Sequence, residues 1–161
     1  MPHITEQEII NQARTWLGTK YHHQGRLKKS AKGQGGVDCI GLIIGVCKEL
    51  GIQDGEGTLI SAYDETGYAL YPEGKRLELA ILKHLRRIPA EKMREGDVVL
   101  FRVFKEPQHV GLVTNYLGGG LGILHCHSRS GAVVEHVFAE PWQRMMVGVY
   151  RFKRKQLVRI P

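Results

Sequence analysis

The sequence predicts an α+β fold, with helices in its N-terminal half packed on an antiparallel sheet that follows Pro89. Apolar residues recur at helical spacing in separate stretches before Pro89, and beyond it the period drops to that of strands. The connections between those later stretches are short, which favours antiparallel neighbours over crossovers.

Thr5 and Glu8 form a capping box, and Ile9, Ala13, Trp16 and Leu17 follow at helical spacing. A first helix is therefore expected from about Thr5 to Leu17, closed by Gly18. The stretch Thr19–Gly36 is polar, basic, rich in glycine and without period, so it reads as a long loop. Gly35 and Gly36 make a turn into Asp38-Cys39, and the apolar run to Leu50 predicts a second helix ended by Gly51. No pattern marks Ile52 to Gly74. Leu77, Ala80, Ile81, His84 or Leu85, and Ile88 predict a third helix that stops before Pro89.

About five strands should follow: Asp97–Phe104, His109–Asn115, Leu121–His127, Ala132–Phe138 and Met145–Phe152. Lys105-Glu106-Pro107, Gly118–Gly120, Ser128–Gly131 and Ala139–Pro141 separate them. With 161 residues and no internal repeat or linker, the chain reads as one domain, 1–161.

The formal charge of +7 points to an anionic partner or to a solvated face. Basic residues are scattered: Arg26, Lys28, Lys29 and Lys32 in one loop, Arg86 and Arg87 at a helix end, and Arg151, Lys153, Arg154 and Lys155 near the C-terminus. No aromatic residues interleave with them and no recognisable module is present, which argues against a nucleic-acid partner. A solvated face is the better reading. The 3 cysteines match neither a zinc pattern nor a disulfide framework, so folding in a reducing compartment is expected. No signal peptide is visible and no apolar run spans a membrane, so synthesis in the cytoplasm is expected.

Chemistry concentrates on Cys39. In the first turn of a buried helix, unpaired N–H groups and the helix dipole favour an anion, so a lowered thiol pKa is expected. The alternative is a cysteine that merely packs. His109 opens the second of the late strands and His125 lies near the end of the third. If these strands form a hairpin, both rings can stand on one face beside the Cys39 helix. That is the constellation of nucleophilic acyl transfer. Asp38 adjoins the cysteine but could point elsewhere. His127 shares a face with His125, while Cys126 points the other way and, like Cys47, should pack. His22 and His23 could line a groove or be exposed. His3, His84 and His136 read as surface or hydrogen-bonded residues. A zinc site of Cys39, His109, His125 and His127 is a minor alternative.

Several blocks occur in order: Leu17–Tyr21, Gly36–Leu42, Arg94–Phe101, His109–Val113, and Leu124–Cys126 with Gly131–Val134. Together they resemble the NlpC-type cell-wall peptidases, a branch of the papain-like cysteine peptidases. The nearest likeness is to versions carried by phages and gene-transfer particles, through Ala139–Arg144 and Gly148–Phe152. The resemblance implies Cys39 as nucleophile, His109 as general base and His125 as the residue that orients it. It also implies that Tyr21 helps shape the oxyanion site with the Cys39 N–H. Lys20 and Ile40 depart from the family's usual proline and serine, and His127 rivals His125 for the third role.

The implied function is hydrolysis of amide bonds in peptidoglycan stem peptides by a D,L-endopeptidase, without metal or organic cofactor. Phage-tail or particle proteins are implied partners, and a virion or particle tail an implied location. An amidase or acyltransferase on the same fold and a non-catalytic structural tail component are the alternatives.

Overall fold

The computed structural model describes residues 2–69, 75–105 and 107–160. The first helix, α1 (Glu6–Arg14), starts at the expected capping box: the Thr5 hydroxyl accepts from the Glu8 N–H, and the Glu8 carboxylate accepts from the Thr5 N–H. It ends earlier than expected. The Trp16 and Leu17 N–H groups reach only three residues back, to Ala13 and Arg14, and Gly18 turns the chain at φ 85°.

The basic loop is not featureless. Within it β1 (Arg26–Leu27) pairs antiparallel with β2 (Gly36–Val37), which brings Arg26 opposite Val37 just before Asp38. Then α2 (Cys39–Leu50) runs to Gly51 at φ 66°, burying Leu42, Val46 and Cys47. After α3 (Arg76–His84) the structure departs from the expected long helix. Leu85 is extended (φ −108°, ψ 160°), and β3 (Arg86–Ile88) pairs with the strand Met146–Arg151 further along the chain. Three residues are too few to display a strand period, so Ile88 reads from sequence as one more helical turn. Arg86 and Arg87 accordingly lie on a strand. The aperiodic stretch up to Gly74 and the connection through Glu106 fall partly on residues 70–74 and 106, outside the described residues.

The remaining elements are β4 (Val98–Arg102), β5 (Pro107–Asn115), β6 (Leu121–Cys126), β7 (Val133–Val137), the short α4 (Trp142–Met145) and β8 (Met146–Arg151). The sheet has six strands in the order β3-β8-β4-β5-β6-β7, one more than expected because of β3, and each neighbouring pair is antiparallel.

Alternation along the strands builds two cores. On one face Val98, Leu100, Val110, Leu112, Leu124 and Tyr150 pack against Ile10 and Ala13 of α1 and Leu42 and Val46 of α2. On the other, Val99, Phe101, Val113, Ile123 and Phe138 pack under Trp142 and Met145 of α4. The two ladders flanking β6 end at different places. β6 pairs with β7 as far as Cys126–Val133, but with β5 only as far as Leu112–Leu124. The stretch Pro107–Gly111 therefore has β4 on one side and no β6 partner on the other.

The approach of α1 to α2 depends on a missing side chain. A Cβ on Gly45 would sit 2.3 Å from the Trp16 ring. Gly45→Ala, a change that stabilises an open helix by about 1 kcal/mol, should here destabilise the protein by about 1–3 kcal/mol. Urea unfolding of Gly45→Ala with and without Trp16→Leu measures this. The cost should shrink in the Trp16→Leu background, and equal costs in both would contradict the steric origin.

Candidate active site

Asp38 fixes the start of α2. Its carboxylate accepts from the N–H groups of Gly41 (2.8 Å) and Gln24 (2.9 Å), from the Arg26 guanidinium (3.1 Å) and from the Tyr68 hydroxyl. Arg26 is held in turn by both oxygens of Asp64, at 2.8 and 3.1 Å. Four donors fill the accepting capacity of the Asp38 carboxylate. In this structure it is a post that ties the basic loop and the Tyr68 segment to the helix start. Arg26 and Lys28 are accordingly not solvated charges, since Lys28 pairs with Glu49 at 2.9 Å.

Cys39 follows at the first position of α2 and is buried. The expected lowering of its pKa does not occur. Burial pushes the thiol up to about 12 and the Asp38 carboxylate adds to this, while the N–H groups of Val110, Ile40 and Cys39 itself pull downward. The helix-start effect is present in the Ile40 and Cys39 N–H groups, and desolvation outweighs it. The Val110 contact also locates the sulfur. It lies against the part of β5 that β6 leaves unpaired, one peptide unit from His109.

His109 pairs with Phe101 across β4–β5, so its ring stands on the sheet face that α4 covers. His125 shares that face with Ile123. This corrects the expected placement beside the body of the Cys39 helix: strand alternation gives Val110 and Leu112 to α2, and hence the histidines to the opposite face. Cys39 reaches the unpaired edge of β5 from the α2 side, at Val110. The structure brings His109 and His125 together, with His109 Nε2 2.7 Å from His125 Nδ1. No hydrogen bond joins Cys39 to His109 among the described residues, and His109 Nδ1 has no partner among them.

His127 is not hydrogen-bonded to this pair. Its ring packs 5.1 Å from that of His109, but its Nδ1 accepts from the Arg129 N–H at 3.2 Å. The zinc alternative also lacks the geometry: both His125 nitrogens are taken, by His109 and His136, and among the described residues no three His, Cys, Asp or Glu side chains are grouped to hold a metal ion. Burial holds His109 well below the ordinary value of 6.5, with His125 and His127 adding to it. Burial likewise takes His125 down to about 3, with help from His136 and His127.

Tyr21 is strapped to the segment that precedes the cysteine. Its N–H donates to the Gly131 carbonyl at 2.9 Å, it bridges to Val37, and its side chain packs on the core that contains Cys39. His22 is exposed, while His23 Nε2 lies 3.1 Å from the Tyr68 carbonyl oxygen. Cys47 and Cys126 are buried, and the Cys126 thiol donates to the Val37 carbonyl at 3.3 Å.

Sequence reasoning gave two residues of the cluster no part in it, reading His136 only as surface or hydrogen-bonded and Trp142 only within Ala139–Arg144. His136 on β7 places Nε2 2.8 Å from His125 Nε2. Trp142 lies against the rings of His125 (4.5 Å), His109 (5.5 Å), His127 (5.9 Å) and His136 (6.1 Å). The available signal for His136 was its alternation with Val134 and Phe138, which needs the β6–β7 register to become useful.

A buried cysteine at a helix start thus lies against β5, and a histidine pair joins β5 to β6. The model of the NlpC/P60 family matches residues 18–151, and the chain belongs to that family. Solved structures agree on the fold. The P60 domain of an antigen from M. avium subspecies paratuberculosis is 20% identical, with a TM-score of 0.54 over 91% of this chain and 93% of that one. The peptidoglycan hydrolase RipB from Mycobacterium tuberculosis is 22% identical, with a TM-score of 0.55 over 92% of this chain and 65% of that one. An N-acetylmuramoyl-L-alanine amidase from Bacteroides uniformis is 14% identical, with a TM-score of 0.53 over 92% and 98%. The chain spans less than half the length of several larger structures of the family. No curated protein matches the chain.

The depressed histidines make stability depend on acid. Unfolded histidine titrates near 6.5, so below that pH the unfolded chain binds protons that the folded site refuses. Stability should be full above pH 6.5 and fall by up to about 1.4 kcal/mol per pH unit for each such histidine. For His125 the fall should continue to about pH 3. Urea unfolding between pH 7 and pH 4 measures the slope, which His125→Asn should make shallower by about one proton. An unchanged slope would show that His125 titrates normally in the fold.

Proposed function

We propose that the protein is a cysteine peptidase that hydrolyses amide bonds in peptidoglycan stem peptides, with Cys39 as nucleophile, His109 as general base and His125 orienting it. The observation that carries this reading is the Cys39 sulfur against the Val110 N–H, next to a histidine whose Nε2 is committed to His125 and whose Nδ1 is open. Family membership supports the hydrolase class.

The resting pair is neutral, because burial disfavours both the thiolate and the imidazolium. The proton therefore passes from Sγ to His109 Nδ1 as the sulfur bonds to the substrate carbonyl carbon. The oxyanion is held by main-chain N–H at the start of α2 and by the Tyr21 hydroxyl. His109 then returns the proton to the leaving amine, which departs as the tetrahedral intermediate collapses to a thioester. His109 next takes a proton from water, whose oxygen attacks the thioester, and it returns that proton to Sγ as the C–S bond breaks and the acid departs.

The finer reading is a D,L-endopeptidase of a phage or gene-transfer particle, made in the cytoplasm and carried in a tail. The likeness of Ala139–Arg144 and Gly148–Phe152 to that branch supports it. The positive charge suits an anionic wall. A second reading rests on a cavity of about 390 Å³ between α2 and α3, lined by Ile40, Ile44, Ile81, Leu85 and Val110. Apolar walls this close to Cys39 would suit transfer of an aliphatic acyl group.

Mass spectrometry of fragments released from purified peptidoglycan separates these outcomes. New stem-peptide termini support the endopeptidase, and release at the sugar–peptide link would replace it with an amidase. Cys39→Ala should retain less than about a thousandth of the activity, and Tyr21→Phe should lower kcat about 100-fold. No release from several wall types, with thioester turnover of acyl donors instead, would move the assignment to the acyltransferase. Binding of Cys39→Ala to purified wall should weaken as salt rises. Salt-independent binding would remove charge as the reason for wall affinity.

A further inference from the structure

The Val137 carbonyl anchors a chain of hydrogen bonds that ends at His109. The carbonyl oxygen can only accept, and His136 Nδ1 lies 2.8 Å from it, so that nitrogen carries the proton. In a neutral imidazole the other nitrogen is then a lone pair. His136 Nε2 faces His125 Nε2 at 2.8 Å, so the His125 proton must sit on Nε2. His125 Nδ1 is then the acceptor, and it faces His109 Nε2 at 2.7 Å. His109 must donate from Nε2, which leaves its Nδ1 with the free lone pair. With one proton on His136, reversing the chain would set its Nδ1 lone pair against a carbonyl oxygen; only a doubly protonated His136 could reverse it otherwise.

We propose that His136 is a positioning residue of the candidate active site: anchored on the Val137 carbonyl, it fixes through His125 the Nε2–H tautomer of His109 and keeps Nδ1 open as the base for Cys39. The catalytic part rests on the peptidase reading, while the tautomer pattern stands on geometry alone.

The surroundings favour the relay. Burial keeps His109 and His125 neutral, as the single-proton argument requires. Trp142 lies against both His125 and His136, which limits their rotation. Glu135, the charged neighbour of His136 in β7, is on the opposite face, paired with Arg14 at 2.8 Å, and cannot act as a competing acceptor. His127 keeps its own Nδ1 on the Arg129 N–H and does not divert the chain.

Two-bond proton–nitrogen NMR spectra of the histidine-labelled protein read the tautomers without any substrate. The wild type should show His109 and His125 both protonated at Nε2 and bare at Nδ1. A His109 protonated at Nδ1 would overturn the proposal outright. His136→Phe keeps a ring but removes the acceptor, so His109 should become a mixture of tautomers and kcat should fall about ten- to a hundredfold with little change in KM. His136→Gln offers an amide oxygen to His125 Nε2–H and should restore most of both signals. An unchanged His109 tautomer in a folded His136→Phe protein would overturn the proposal. If that variant does not fold, the wild-type spectrum still decides. The expected tautomers in a protein that never cleaves wall peptide would sink the peptidase reading and leave the relay standing.

Discussion

The early end of the β5–β6 ladder makes the candidate site possible. Had β6 paired with β5 beyond Leu112–Leu124, the Val110 N–H would have gone into the ladder, and no opening would remain for a sulfur. Instead α2 delivers Cys39 to that unpaired stretch, and the Val110 N–H meets it. The same ending leaves His109 and His125 adjacent without a backbone pairing between them, so a side-chain bond of 2.7 Å joins them. Asp38 sets the longitudinal position of the helix by capping Gly41, and its bonds to Gln24, Arg26 and Tyr68 hold the loops around that cap.

Burial governs the electrostatics of this arrangement. A helix N-terminus alone should lower a thiol pKa, and three N–H groups act in that direction on Cys39. The sulfur is nonetheless pushed up to about 12 because it is out of water beside a carboxylate. The histidines move the opposite way for the same reason. A neutral thiol beside a neutral imidazole is a stable resting state. Such a pair reacts only when a bound carbonyl lets bond formation and proton transfer proceed together. In the proposed mechanism the orientation of His109 matters more than a preformed thiolate, and the buried histidine chain is the proposed source of that orientation.

Much of this was legible in the sequence, for identifiable reasons. The capping box at Thr5 and Glu8, the αL glycine at Gly51 and the alternation of the late strands are local signals, and each reappears in the structure. β3 was not legible, because Arg86–Ile88 becomes a strand only through pairing with β8, some sixty residues away. The β1–β2 ribbon is equally short and was hidden in a polar loop. Cys39, His109 and His125 stood out by residue type and order. His136 did not, because its meaning depends on a diagonal across β6–β7 that no local pattern reveals. The face that carries the histidines depended in the same way on the register of β4 against β5. The expected thiol pKa erred because sequence shows where a helix begins but not how deeply that end is buried.

The proposed reaction passes through a bond between the Cys39 sulfur and a substrate carbonyl carbon. Intact-protein mass spectrometry, on mixtures with soluble stem peptides quenched in acid within milliseconds to seconds, would look for that bond directly. A transient mass increase equal to the acyl half of the peptide, mapped to Cys39 and longer-lived in His109→Ala if it forms there at all, is the expected result. Steady release of cleaved peptide with no adduct on Cys39 at any time, or an adduct mapped to another residue, would contradict it.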